Sequence, residues 1–178
     1  MAGHIATQAL AHARADVGVR EEGGNNQGPQ VAAYLASVGL RPGNPWCMAF
    51  VFAKLWQAAN TLGDDAVADF HRSGFPVTAW CPALYAWARK NELWVFPENA
   101  RAEQIGPGDL ALFWYDVKRR HAHVGFVAGP LERRHVQTIE GNTSPERPTV
   151  ERDGDGVYLK NRAIWQLGEL GGFVRLPF

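Results

Sequence analysis

The sequence predicts an α+β fold, with helices in the first half of the chain and an antiparallel sheet in the second. Up to about residue 90, apolar side chains recur every three to four residues, the spacing of a helix that buries one face. From Leu93 onward, short runs rich in β-branched and aromatic residues alternate with Gly and Pro. Because no helical stretch separates these runs, consecutive strands are expected to pair antiparallel rather than to form β–α–β units.

Four helices and a series of strands are predicted. In the first helix, Ile5, Ala9, Ala13 and Val17 share one face before Gly18 interrupts the pattern. The other helices are expected over residues 30–38, about 45–60 and about 78–90. The β-rich runs cover residues 93–96, 109–116, 122–129, 134–142, 156–163 and 172–177.

Composition limits the class of protein. The 178 residues suit one domain, taken as residues 1–178, and 18 basic against 18 acidic side chains leave no net charge. A neutral chain argues against nucleic-acid binding by bulk electrostatics, and a hydrophobic content of 46% argues against disorder. The longest apolar run, residues 46–53, is too short to cross a membrane. No basic segment followed by an apolar one opens the chain, so no secretory signal is predicted. We expect a monomer.

The sharpest chemical signal is Cys47, which follows Asn44-Pro45-Trp46. Asn44 is a favoured N-cap and Pro45 suits the first helical position, which would make Cys47 the third helical residue. The free N–H groups and the positive end of the helix dipole there favour a thiolate, and the N–H groups could also stabilise an oxyanion. Burial as a small apolar side chain is the competing interpretation.

The second cysteine, Cys81, has no polar neighbour in the sequence, and core packing is its expected role. A Cys47–Cys81 disulfide would require an oxidising compartment, which the missing signal sequence does not support.

A histidine and two polar residues are expected to meet on one face of a hairpin. The segments that contain them flank a turn at Gly129-Pro130, and a register centred near residue 131 or 132 sets His123 almost opposite Glu140. Asn142, two residues further on, points to the same face. A carboxylate or carboxamide that accepts the second ring N–H of a histidine fixes its tautomer and supports a general base.

Four segments, in this order, resemble the CHAP family of cysteine, histidine-dependent amidohydrolases/peptidases, related to NlpC/P60 and papain-like enzymes: PWCMAFV, GPGDLALFW, HVGFV and IEGN. Two more resemble the subgroup found in phage lysins and bacterial wall hydrolases: VGVREEGGNNQGPQVAAYL and GGFVRLP. The resemblance implies a papain-like domain whose cysteine heads a helix packed on the sheet. It implies Cys47 as nucleophile, His123 as base, and Glu140 and Asn142 as polar partners.

The implied reaction is acyl transfer through a thioester of Cys47, with His123 moving the protons. The Cys47 N–H is the first oxyanion donor, and the alternatives for the second lie upstream: Asn25, Asn26, Gln27 and Gln30. The expected substrate-binding residues are Trp46, which adjoins the nucleophile, together with Asn26 and Gln30. Other aromatic residues that could line a groove are more typical of a core: Trp80, Trp114 and Tyr115.

Metal chemistry is the main competing interpretation of the histidines. His121 and His123 could hold a metal together with His135 or Asp116. No HExxH motif or paired CxxC accompanies them, so no metal and no cofactor are predicted. The basic cluster at residues 118–120 indicates a solvated loop, with binding of anionic wall polymer as a minor alternative.

The resemblance implies a hydrolase of peptidoglycan peptides, either an endopeptidase or an N-acetylmuramoyl-L-alanine amidase. The alternatives are a cysteine amidase of a small peptide conjugate, a non-catalytic module that binds wall or a partner, and a metal hydrolase. Synthesis in the cytoplasm without a leader implies that phage lysis or an injection machine delivers the protein to the wall or periplasm. An injected toxin would be expected to have an immunity protein that plugs the Cys47 cleft.

Overall fold

The computed structural model describes residues 3–145 and 154–178, and their fold is α+β with an antiparallel sheet, as predicted. The helices are α1 (His4–Ala15), α2 (Pro29–Ala36), α3 (Cys47–Leu62), α4 (Asp64–Arg72) and α5 (Cys81–Lys90). The strands are β1 (Trp94–Val95), β2 (Leu110–Tyr115), β3 (Arg120–Val127), β4 (His135–Thr143), β5 (Gly156–Ala163) and β6 (Gly172–Val174). Short 3₁₀ turns cover Asp116–Lys118 and Ile164–Leu167.

The described strands form one sheet in the order β1-β6-β2-β3-β4-β5, with each neighbouring pair antiparallel. Strands β2 to β5 follow one another as a meander, in agreement with the sequence pattern. Strand β6 departs from it by inserting between β1 and β2, where Phe173 pairs with both Val95 and Ala111. A Cβ at Gly172 would lie 2.5 Å from the Trp94 ring, so the lack of a side chain at Gly172 allows β6 to pack beside Trp94.

Helix α3 lies between the other helices and the sheet. It packs on α1, α2 and α4 on one side and on β3 and β4 on the other. Alternation along β2 divides the core, since Leu110 and Leu112 join the helical layer, whereas Ala111 and Phe113 join a second cluster closed by the turn at Ile164–Leu167. Apolar burial on both sides therefore fixes α3 and, with it, the position of Cys47 beside β3.

Apolar spacing does not predict α4, because Phe70 is the one residue of this helix that is buried. Gly63, at φ 103°, ends α3 and precedes α4. The first turn of α4 is acidic and the last turn is basic, which complements the helix dipole. The charge distribution, rather than hydrophobic periodicity, is the sequence signal for this helix.

Gly141 on β4 faces the rings that pack at the start of α3. A Cβ at Gly141 would lie 2.7 Å from Trp46 Cζ3 and 2.8 Å from Phe50 Cγ. We expect Gly141→Ala to lower the free energy of unfolding by about 1–3 kcal/mol, the usual cost of overpacking, as measured by urea denaturation. Gly106→Ala is the matched control, since a Cβ there meets no atom within 4 Å. Equal losses in the two variants would contradict the packing explanation.

Candidate active site

Cys47 is the first residue of α3, which corrects the predicted start at Pro45 with Asn44 as the N-cap. Trp46 is the N-cap, with φ −123° and ψ 10°, and its carbonyl oxygen accepts the Phe50 N–H at 2.8 Å. Asn44 instead donates its side-chain N–H to the Arg41 carbonyl oxygen at 2.9 Å. As the first helical residue, Cys47 carries an N–H group that has no acceptor within the helix.

Tertiary contacts hold Trp46 outside the helix. Its indole N–H donates to Glu21 Oε1 at 2.8 Å, and its ring stacks on Tyr34 with the centroids 5.5 Å apart. Its backbone N–H donates to the Asn142 amide oxygen at 3.1 Å, in the amide orientation that its neighbours require. These contacts fix a non-helical backbone at Trp46, so α3 begins at the next residue, Cys47.

His123 and Glu140 meet as predicted, but through a different strand register. His123 Nε2 lies 2.8 Å from Glu140 Oε2, and both side chains are buried. Phe126 pairs with Ile139, which centres the hairpin between residues 132 and 133 and would set His123 opposite position 142 rather than 140. A shift of two residues keeps Glu140 on the predicted face. Its side chain reaches His123 across Gly125, where a Cβ would lie 2.5 Å from Glu140 Cγ.

The Glu140 carboxylate has two further partners that the sequence analysis missed. Arg162 on β5 donates from Nε to Oε1 at 2.7 Å and from Nη2 to Oε2 at 2.5 Å. The Thr138 hydroxyl donates to Oε1 at 2.6 Å. Burial acts to raise the pKa of Glu140, but the hydrogen bonds and positive charges of Arg162 and His123 outweigh it and hold that pKa well below its usual range. Glu140 is therefore a buried acceptor that is charged at neutral pH.

The pKa shifts of Cys47 and His123 favour an ion pair between them. Glu140 occupies His123 Nε2, so Nδ1 is the ring nitrogen left for the hydrogen bond with the Cys47 sulfur. A hydrogen bond from Cys81 lowers the pKa of Cys47 most; burial opposes it, and His123 and the Met48 N–H lower it further. Burial acts to lower the pKa of His123, but hydrogen bonds and charge from Cys47 and Glu140 raise it to about 9. These opposite shifts favour a thiolate beside an imidazolium at neutral pH.

Cys81 is buried in the core, as predicted, and it also lies in the site. It is the first residue of α5, and its Sγ is 3.9 Å from Cys47 Sγ, with both cysteines free. The hydrogen bond with Cys47, together with burial, raises the pKa of Cys81 well above its usual range, so Cys81 remains a thiol. The partner comes from another helix, and no local pattern around Cys81 signals this contact.

A cavity of about 370 Å³ opens beside Cys47 and His123. Its other lining residues come from the loop before α3, the segment before α5, β3 with its preceding turn, and β4: Leu40, Asn44, Pro45, Thr78, Ala79, Trp80, Cys81, Lys118, Arg120, Ala122 and Asn142. Among the residues that the structure describes, no carboxylate lines this cavity. The Arg120 guanidinium stacks over the half-exposed Trp80, 4.2 Å from the ring centroid. One part of the cavity wall therefore combines an aromatic ring with a cation. Two residues of the loop predicted at 118–120, Lys118 and Arg120, belong to this wall.

The three predicted substrate-binding residues lie outside this lining. Trp46 is fully buried, and Gln30 is exposed on α2. Asn26 is buried at φ 56°, and its backbone N–H donates to Glu21 Oε2 at 2.8 Å. Glu21 thus ties both the Asn26 loop and the Trp46 indole, so this loop supports the start of α3. Asn25 and Gln27, the remaining alternatives for the second oxyanion donor, also lie outside the lining.

Asn142 lines the cavity but makes its hydrogen bonds elsewhere. Besides accepting the Trp46 N–H, its amide nitrogen donates to the Gly154 carbonyl oxygen at 2.9 Å and to Asn26 Oδ1 at 3.3 Å. A bulge in β4 and a left-handed backbone at Asn142, φ 55°, turn its side chain this way. Of the two polar partners predicted for His123, Glu140 contacts the histidine, whereas Asn142 accepts the Trp46 N–H.

The first histidine of the HxH pair, His121, packs between β3 and α5. His121 Nε2 lies 2.8 Å from the Leu170 carbonyl oxygen, and the ring stacks on Tyr85 with the centroids 4.3 Å apart. Within residues 3–145 and 154–178, no group of three or more His, Cys, Asp or Glu side chains could hold a metal ion.

No protein-family model, curated protein or solved structure matches the chain. In the described ranges, no helix combines the length and the apolar character needed to span a membrane.

The thiolate state of Cys47 can be tested with iodoacetamide. At about pH 6–7 we expect Cys47 to react roughly tenfold faster than a thiol of ordinary pKa, because it is already ionised. Mass spectrometry of the labelled peptides should place the first label on Cys47, and it measures the rate at that site in wild type, where the hydrogen bond from Cys81 is intact. A rate that rises only through about pH 8–9, as for a free cysteine, would contradict the ion pair.

The buried ion pair between Glu140 and Arg162 predicts a stability effect that depends on pH. Arg162→Met leaves the Glu140 charge buried without its main partner, and we expect a loss of about 3–5 kcal/mol at neutral pH by urea denaturation. The depressed pKa of Glu140 stabilises the fold above its ordinary value of 4.5, and this contribution disappears as the pH falls below that value.

The double variant Glu140→Gln/Arg162→Met removes both charges. Together with the single variants Glu140→Gln and Arg162→Met, it forms a double-mutant cycle. We expect it to lose less stability than the sum of the single variants and to show a weaker acid dependence than the wild type. Additive losses would show that the two charges do not depend on each other.

Proposed function

We propose that the chain is a papain-like cysteine amidohydrolase of the CHAP and NlpC/P60 type, which cleaves a peptide amide bond of bacterial peptidoglycan. The observation that carries this proposal is the buried series Cys47–His123–Glu140 beside an open cavity. A nucleophile at a helix start, a base within hydrogen-bonding reach and a third group that orients the base are the requirements of thiol acyl transfer. The resemblance of the segments around Cys47 and His123 to the CHAP family supports the substrate class.

The reaction begins when the Cys47 thiolate attacks the carbonyl carbon of the scissile amide. The negative charge on the carbonyl oxygen is stabilised by the Cys47 N–H, which lies at the positive end of α3. His123 gives its proton to the leaving nitrogen as the C–N bond breaks, and a thioester remains on Cys47. His123 then takes a proton from water, whose oxygen attacks the thioester and releases the acid.

Glu140 acts in this scheme by position and charge. Its carboxylate holds His123 Nε2 at 2.8 Å, which directs Nδ1 to the nucleophile and stabilises the imidazolium. Arg162 and Thr138 engage the same carboxylate, so Glu140 stays ionised and does not compete for the proton. Since one chain supplies every residue of the series, a monomer is sufficient.

The charge of the cavity supports an acidic peptide as substrate. Arg120 lines the described wall of the cavity, where it stacks over Trp80. Peptidoglycan stem peptides carry free carboxylates near their amide bonds, and a guanidinium fixed on Trp80 retains N–H groups to bind them. The proposed place of action is the bacterial wall or periplasm.

Digestion of purified sacculi tests the proposal directly. Wild type should release fragments with new amine and carboxyl ends, which mass spectrometry identifies, and Cys47→Ala should release about 10³-fold less or none. His123→Ala should lose at least about 10²-fold, while the neighbouring His121→Ala is the matched control with a mild effect. Equal release by wild type and Cys47→Ala would overturn the thiol mechanism. No release by folded wild type would overturn the peptidoglycan substrate.

The cationic wall predicts a specificity effect. Arg120→Gln should digest native sacculi about tenfold more slowly, because a charge-assisted hydrogen bond to substrate is lost. On sacculi whose carboxylates have been converted to amides, wild type and Arg120→Gln should be equal. Arg119→Gln is the control, since Arg119 is exposed and lies outside the cavity lining. The same defect of Arg120→Gln on both substrates would indicate damage to the site rather than lost carboxylate binding.

A further inference from the structure

We propose that Cys47 and Cys81 form an oxidisable dithiol, which a peroxide converts into an intramolecular disulfide inside the candidate site. Their sulfur atoms lie 3.9 Å apart, both cysteines are free, and both line the same cavity. The hydrolytic scheme gives Cys81 no bond to make or break. The inference rests on the distance between the two sulfurs and holds whether or not the protein cleaves peptidoglycan.

The placement of the two residues permits closure. Each is the first residue of its helix, Cys47 of α3 and Cys81 of α5, so each is preceded by loop rather than by helical backbone. A disulfide requires an S–S distance of about 2.05 Å, and the sulfurs must therefore approach by about 1.9 Å. Rotation about the side-chain bonds of two cysteines already in contact can supply most of that movement.

The oxidation proceeds in two balanced steps. First, the Cys47 thiolate attacks one oxygen of hydrogen peroxide, the O–O bond breaks, and the hydroxide that leaves is protonated to water. Second, the Cys81 sulfur attacks the sulfur of the resulting Cys47 sulfenic acid. The S–O bond breaks, and the leaving hydroxide takes the Cys81 proton as a second water. The two thiols together lose two electrons and two protons, and one peroxide is reduced to two waters.

The electrostatics favour this order of events. Cys47 is the ionised thiol and reacts first. The hydrogen bond and negative charge of Cys47, with burial, raise the pKa of Cys81, whereas Arg120 acts to lower it. Once Cys47 has become a neutral sulfenic acid, its charge no longer opposes ionisation of Cys81, and the influence of Arg120 remains. Cys81 therefore becomes a better nucleophile at the moment when it is needed.

The test uses the full reduced chain and one equivalent of hydrogen peroxide at micromolar protein concentration. We expect both thiols to become resistant to alkylation, the intact mass to fall by two hydrogens, and a protease digest to contain the Cys47 and Cys81 peptides linked. Dithiothreitol should restore both thiols. None of these readouts requires a substrate, so their failure is distinguishable from failure of the proposed hydrolase activity.

Cys81→Ala provides the matched variant, with circular dichroism to verify its fold. Without a resolving thiol, Cys47 should gain oxygen atoms, and with excess peroxide dithiothreitol should no longer recover it. Wild type that gains oxygen at Cys47 while Cys81 stays open to alkylation would overturn the proposal. Disulfide-linked dimers in place of the internal link, seen on a non-reducing gel, would also overturn it. The peptide digest of wild type decides the question even where the variant does not fold.

Discussion

The ion pair between Glu140 and Arg162 is the interaction on which the rest of the site depends. Both side chains are almost completely removed from water, so each charge is tolerable only because the other is there. A carboxylate held in this way is fixed in position and in charge, and it fixes the ring of His123 in turn. The series then runs Arg162, Glu140, His123 and Cys47 with alternating sign, so that the charges of these four groups cancel. The thiolate is the last member, and it is the one beside the cavity.

A second set of contacts fixes the place where α3 begins. Glu21 and Asn142 bind opposite ends of Trp46, one at the indole and one at the backbone, and both also bind Asn26. The Gly- and Asn-rich loop before α2 therefore holds Trp46 in place at the start of α3, next to Cys47. The lining of the cavity comes from the loop before α3, from the segments that precede α5 and β3, and from Asn142 on β4. Asn142 belongs to both sets, because it accepts the Trp46 N–H and also lines the cavity.

The sequence predicts the α+β order, most strand positions and the meeting of His123 with Glu140, because period-two alternation survives an error of two residues in register. It does not predict Arg162, whose role depends on how β5 lies against β4, or Cys81, which reaches the site through the packing of α5. The N-cap signal of Asn44 fails for a related reason, since tertiary contacts at Trp46 override a local preference. The place of action of the protein, its substrate class and the papain-like fold rest on the resemblance to the CHAP family and stay predictions.

The contact between the two sulfurs also bears on how long a molecule can work. If the proposed disulfide forms, the time for which Cys47 stays reactive outside a reducing environment is set by the supply of oxidant rather than by unfolding. The number of bonds that each molecule can cut is then the product of its turnover rate and that time. For a lytic protein, the total damage would scale with the number of molecules that arrive, so the dose, more than the exposure time, would determine the outcome.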